Sequence, residues 1–272
     1  MTLFLTSLAC LSGLNAAHAQ DAPRRFAVVV GVSQAGSSPE LALEGAGSDA
    51  TRVALALREQ AGYTDVRIIT DAEATKERIL KTFQEDLALV VTEQDTLLVY
   101  FVGHGVGGDF DEPYLLPYDT DPLDVPGTAI SVAELGAQLS QWVPAASYAI
   151  VTDAAHQGAV GDLALLGPAA TSWPDMGAST MLLSASGLGS PAVPGVFSKH
   201  FIDAITGGAD TSRDGIVSVA ELYRYLVIAV PAETGGSQQP AVGGRYDQEL
   251  ALATDVTFKD LLAQIAVPEQ EV

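Results

Sequence analysis

The stretch Leu97–Gly105, LLVYFVGHG, decides how this chain folds. Its apolar run from Leu97 to Val102 is too short for a buried helix and too continuously apolar for a strand with one wet face. That pattern describes a strand covered on both sides, the kind found in parallel sheets. The Gly-His-Gly that follows places an imidazole, His104, just past the strand, between residues that let backbone come close.

Working outward, comparable apolar runs occur at Phe26–Val32, Val66–Thr70, Tyr148–Thr152 and Thr180–Ser184. Helical patterns at Asp49–Ala61, Thr75–Val91 and Val132–Trp142 lie between them. Alternation of this kind predicts an α/β fold, a mostly parallel sheet with helices on both faces. Beyond the last strand the pattern becomes a helix at Val196–Ile205, a Gly/Asp-rich loop and a helix at Ala220–Val230. A polar segment, ETGGSQQPAVGG, follows, and Asp255–Ile265 is expected to be a helix or a strand with a helix. There is neither an internal repeat nor a long linker, so we expect one domain over 25–254 and a tail over 255–272.

In open parallel sheets, functional groups gather beyond the carboxyl ends of the strands. Two such ends carry chemistry-bearing residues: LLVYFVGHG delivers His104, and YAIVTDAAHQG (Tyr148–Gly158) delivers Asp153 and Ala155.

Charge narrows the partners. Thirty-four acidic residues against thirteen basic give a formal net charge of -21, which repels nucleic acid and anionic membranes and favours cations or basic peptides. Between Thr82 and Ser198 there is no Lys or Arg at all, so a ligand of that region is expected to be positive. At the amino end, MTLFLTSLACLSGLNAAHAQ closes in the small-x-small pattern Ala17-His18-Ala19, and Met1–Ala19 is expected to be a secretion signal. The mature protein would then be secreted or periplasmic, without a membrane span. No Lys or Arg precedes the apolar run, and a lipid anchor at Cys10 is the alternative, although SLAC lacks the leucine placement of a lipoprotein signal. Cys10 is the single cysteine, so its removal would exclude disulfides, thiolate metal sites and cysteine catalysis.

Several segments together resemble the caspase-like cysteine peptidases, particularly bacterial and metacaspase-type members. AVVVGVSQ is similar to the first strand, LEGAGSDATRVALAL to the Gly-x-x-x-Asp-Ala segment that opens the first helix, and LLVYFVGHG to the strand bearing the histidine. PYLLPYDT is similar to the loop after it, and VTDAAHQG to the Asp-Ala-Cys-His-Ser-Gly motif that carries the nucleophile. The resemblance implies a caspase-like three-layer sandwich. It implies that His104 stands at the general base, Gly105 at an oxyanion-hole donor, and Asp49 and Asp153 at the pocket for a basic side chain.

Ala155 stands where the family has its nucleophilic cysteine. Covalent peptidase chemistry needs a thiolate or alkoxide beside the histidine, and a methyl group is neither. Gln157 and Val102 also depart from the family's serines, while Ser184 and Ser186 are read as strand-end and turn residues. Gly158–Ser198 contains no basic residue at which such a peptidase would process itself. Three readings follow: a pseudopeptidase that holds a basic peptide or protein partner, a hydrolase using His104 with water or another nucleophile, and a structural assembly domain.

One metal-binding pattern remains. DTSRDGIVSVAE, Asp210–Glu221, has the spacing of an EF-hand calcium loop: Asp210, Ser212 and Asp214 at positions 1, 3 and 5, Gly215 at the sharp turn, then the Ile216 carbonyl, Ser218 and a closing Glu221. Calcium wants oxygens from alternate residues of a coiled loop, which this spacing supplies. Ser212 in place of a carboxylate predicts modest affinity for Ca²⁺.

Overall fold

The computed structural model describes residues 22–107, 114–155, 178–186 and 192–264. The expected signal segment and the His156-Gln157-Gly158 end of the motif lie outside the described residues.

A sheet of mostly parallel strands forms the middle layer. In chain order its strands are β1 (Arg25–Gly31), β2 (Asp65–Thr70), β3 (Thr96–Val106), β4 (Tyr114–Leu115), β5 (Ile130–Ser131), β6 (Ser147–Ala155), β7 (Ser179–Ser184) and β9 (Ala241–Arg245). Strands β8 (Ile216–Ser218) and β10 (Ala251–Thr254) pair with each other apart from it. The main order is β2-β1-β3-β6-β7-β9, with β9 antiparallel to β7 and short β4 hanging antiparallel from the end of β3. Every residue of β3 is buried, as its unbroken apolar run requires.

Alternate residues of each strand feed two separate cores. Ala27, Val29, Leu98, Tyr100, Ala149 and Val151 face one layer, built from α1 (Ala46–Gln60), α5 (Val196–Asp203) and α6 (Val219–Glu233). Val28, Val30, Leu97, Val99 and Ile150 face the other, which holds α2 (Lys76–Lys81) and α4 (Val132–Trp142). A single four-residue turn of helix, α3 (Val125–Thr128), precedes β5. This is the three-layer sandwich that the alternation of strands and helices predicts.

Local chemistry explains the helix boundaries. Ser131 caps α4 by accepting the Glu134 N–H, and Ser218 and Glu221 cap α6 reciprocally in a capping box. Against β1, α1 comes so close that a Cβ on Gly31 would fall 2.5 Å from the Ala50 methyl. Only glycine permits that approach, and it presses the first turn of α1 onto the carboxyl end of the sheet.

Several boundaries differ from the sequence reading. The helix expected over Thr75–Val91 is α helix only to Lys81, then π-helical over Thr82–Leu87. Asp255–Ile265 forms no helix up to a single 3-10 turn at Leu262–Gln264, because Asp255 takes a positive φ of 60° and Thr254 and Val256 donate to the Ala61 and Gly215 carbonyls instead. The supposedly polar connector contains β9, which becomes a strand by pairing with β7 despite two adjacent glycines. Among the described residues no helix is long and apolar enough to cross a membrane.

Candidate functional site

Strand β3 does not stop at Val102. The Gly-His-Gly continues in the ladder, with Val102 opposite Asp153, Gly103 opposite Ala154 and His104 opposite Ala155 on parallel β6. Two chain segments far apart in sequence thereby meet in one register at the carboxyl edge, and His104 is 2% exposed there. A Cβ on Gly103 would fall 2.9 Å from the Phe101 ring, so the residue before the histidine has to lack one. Leu116 donates its N–H to the His104 carbonyl while Gly105 pairs with Leu115. In an antiparallel ladder that pattern makes Gly105 and Leu115 a wide pair, whose N–H groups point away from each other. The Gly105 N–H is therefore not consumed by β4.

Asp153 is 4% exposed and is held from an adjacent layer. Its Oδ2 accepts the Ser198 backbone N–H at 3.1 Å and the Ser198 hydroxyl at 2.6 Å. Ser198 is the third residue of α5, so the carboxylate also meets the positive end of that helix. Since the single proton of the Ser198 hydroxyl goes to Asp153, its 3.1 Å bond to Tyr100 must be donated by the tyrosine. Burial pushes the Asp153 carboxyl up to about 6, opposed by Ser198 and reinforced by Asp49. Burial, with Asp153 next, keeps Tyr100 protonated well above its ordinary range.

Asp49 approaches from α1 and is 8% exposed. It forms an ion pair with Arg52, one helical turn on. Asp49, Asp153 and Val102 line one recess with Leu43, Glu44 and Gly195. Gly195 caps α5 with φ +76°, and a Cβ there would sit 3.4 Å from an Asp49 carboxylate oxygen. The recess holds about 10 Å³, roughly one water. The two aspartates named from the sequence thus share one recess, while His104 and Gly105 are not among its lining residues. Ser198 and Arg52 escaped the sequence reading: Ser198 lies in no motif and meets Asp153 through tertiary contact, while Arg52, although inside LEGAGSDATRVALAL, was not read as the partner of Asp49 one turn before it. Ser184 donates its hydroxyl to the Ser186 carbonyl at 2.8 Å, the turn role expected of it.

The sequence pattern that defines the caspase domain matches residues 24–247. The chain belongs to the caspase-domain family. Among solved structures, protein GSU0716 from Geobacter sulfurreducens superposes with a TM-score of 0.59 at 15% identity, covering 87% of this chain and 100% of that one. A likeness at that identity concerns the fold. No curated protein matches significantly. Within the matched span, the carboxyl ends of β3 and β6 bring His104 and Ala155 into register.

The loop Asp210–Glu221 lies at the other end of α5. Gly215 has φ +83° and Arg213 φ +62°, two left-handed residues that coil the chain tightly around Asp210. Asp210 is buried and accepts N–H groups from Asp214 and Gly215, both at 3.2 Å. Residues Ile216–Ser218 form β8, and its partner strand is β10 rather than a second such loop. Glu221 turns toward the loop backbone, accepting from Ser212 at 3.0 Å and Ser218 at 3.2 Å. Against burial, which raises it, those bonds hold the Glu221 carboxyl below its ordinary range. Among the described residues no three His, Cys, Asp or Glu side chains already stand together as a metal-holding group.

Proposed function

We propose that this caspase domain is a pseudopeptidase of the secreted or periplasmic space that holds a basic side chain of a peptide or protein partner without cutting it. One observation carries the reading: Asp49 and Asp153 line a common recess beside the place where the family's sulfur is replaced by Ala155. Without a nucleophile, the histidine and backbone donors supply at most ~10³–10⁴-fold acceleration over water. The carboxylates are competent for a guanidinium or ammonium group, and the segment Thr82–Ser198, which supplies Asp153, contributes no Lys or Arg of its own.

Titrating the protein with acetyl-arginine amide, with the uncharged citrulline analogue as control, tests this. Binding should be seen for arginine alone, and Asp49→Asn combined with Asp153→Asn should weaken it at least about tenfold, as expected when charged partners are removed from a buried site. Unchanged binding in the double variant, or peptide turnover abolished by His104→Ala, would refute the reading.

Calcium belongs to the same proposal. Asp210, Ser212, Asp214, the Ile216 carbonyl, Ser218 and Glu221 would hold the ion, and the ion would neutralise three carboxylates of a strongly anionic chain. The coiled backbone around buried Asp210 and the strand pairing at Ile216–Ser218 support this fit. The Glu221 carboxylate has to exchange its backbone donors for the ion, which agrees with modest affinity. At a hundredfold excess over Kd, calcium should stabilise the domain by about 3 kcal/mol in thermal or chemical unfolding. Glu221→Gln should remove most of that gain, and magnesium should not replace calcium; equal stabilisation of both proteins would sink the site.

A further inference from the structure

One of the carboxylates that would take a basic side chain already pairs with one from its own helix. Asp49, which lines the recess with Asp153 and Glu44, is ion-paired with Arg52. The pair is built into α1 at a spacing of three residues, where side chains lie one above the other on the helix surface. The Arg52 side chain is 53% exposed and the Asp49 side chain 11%, so the guanidinium reaches from solvent down to a largely buried acid. The recess itself has room for about one water and none for an arginine or lysine head.

We infer that Arg52 is an intramolecular competitor for the basic-group site: it pairs with Asp49 and has to give up that pair before a partner's Arg or Lys can use the carboxylate. Binding is then an exchange of one cation for another on the same carboxylate, and its strength is a difference between two ion pairs. Such an exchange discriminates sharply against neutral side chains, which can neither displace Arg52 nor satisfy Asp49. The contact that is lost runs from one guanidinium nitrogen to one carboxylate oxygen, so a guanidinium and an ammonium can both replace it. Exposure of Arg52 keeps the barrier small: a half-exposed helical ion pair contributes only a few tenths to about 1 kcal/mol.

This inference rests on the proposed basic-group site, and the test separates the two. Arg52→Gln keeps a good helix former at an exposed position, and thermal melts confirm that it folds. Acetyl-arginine amide should bind this variant about fivefold tighter than the original protein, as follows from removing a competing pair of that strength. Arg52→Lys, which keeps the charge, should stay within about twofold of the original. In an Asp49→Asn background the gain from Arg52→Gln should vanish, since nothing is left for Arg52 to hold. Equal or weaker binding to Arg52→Gln, alongside measurable binding to the original protein, overturns the role of Arg52 and leaves the site standing. No binding of the arginine probe to either protein overturns both.

Discussion

Asp153→Asn is expected to make the domain more stable at pH 8 and a poorer ligand for basic groups. Burial lifts the Asp153 carboxyl from its ordinary 3.8 to about 6. A carboxyl raised on folding contributes stability that is fully present below about pH 4 and is lost as pH rises through about 6. Above that, the folded protein carries a buried charge that the unfolded chain holds in water, at a cost of about 3 kcal/mol. Asparagine keeps a carbonyl oxygen for Ser198 and carries no charge, so unfolding in denaturant at pH 8 should show a gain of about 2–3 kcal/mol. Near pH 4, where the original carboxyl is protonated, the gap should close. Comparing the pair cancels the titration of every other acid in this anionic chain. The same substitution should weaken acetyl-arginine amide binding at least about tenfold above pH 6. A gap that does not open between pH 4 and 7 would contradict the buried charge.

The largest change is expected from Ala155→Cys. The register of β3 and β6 sets position 155 opposite His104, and Gly105 follows with an N–H not consumed by β4. A thiol beside a histidine has its pKa drawn down toward the ~3.5–7.5 range of activated cysteines. In a Cys10→Ala background, iodoacetamide should therefore label this thiol at pH 6 about tenfold or more faster than it labels the same protein carrying His104→Ala. Cleavage after arginine in a peptide library should rise on the order of 10³-fold over the original chain. Labelling that ignores the His104→Ala change would mean that the histidine no longer stands at the nucleophile's place.

The sheet was legible because its strands are buried on both faces and write themselves as continuous apolar runs; Thr96–Val102 and Val132–Trp142 begin where the sequence says. Less legible were elements made by their neighbours. Gly-His-Gly reads as a strand's end, yet it stays in the ladder because β6 continues alongside it to Ala155. Strand β9 carries two glycines and no apolar alternation, and only β7 makes it a strand. At the sheet edge, the motifs named His104, Gly105, Asp49, Asp153 and Ala155, and the structure sets His104 opposite Ala155 and places Asp49 and Asp153 in one recess. The motifs did not show that Ser198 fixes Asp153 or that Arg52 pairs with Asp49. Pro194-Gly195 announces a helix start, but which carboxylate that helix will meet is decided forty-five residues away in the chain.

Helix α5 offers its amino end to Asp153 and leads, through the π-helical turn of Ala204–Gly208, into Asp210. The recess and the Asp210–Glu221 loop are thus joined by one segment, which bends at Thr206 and Gly207. Any energy passed along it is passed equally in both directions. Under the proposed function, an ion that steadied the loop and a partner that steadied the recess would strengthen each other's binding by the same factor.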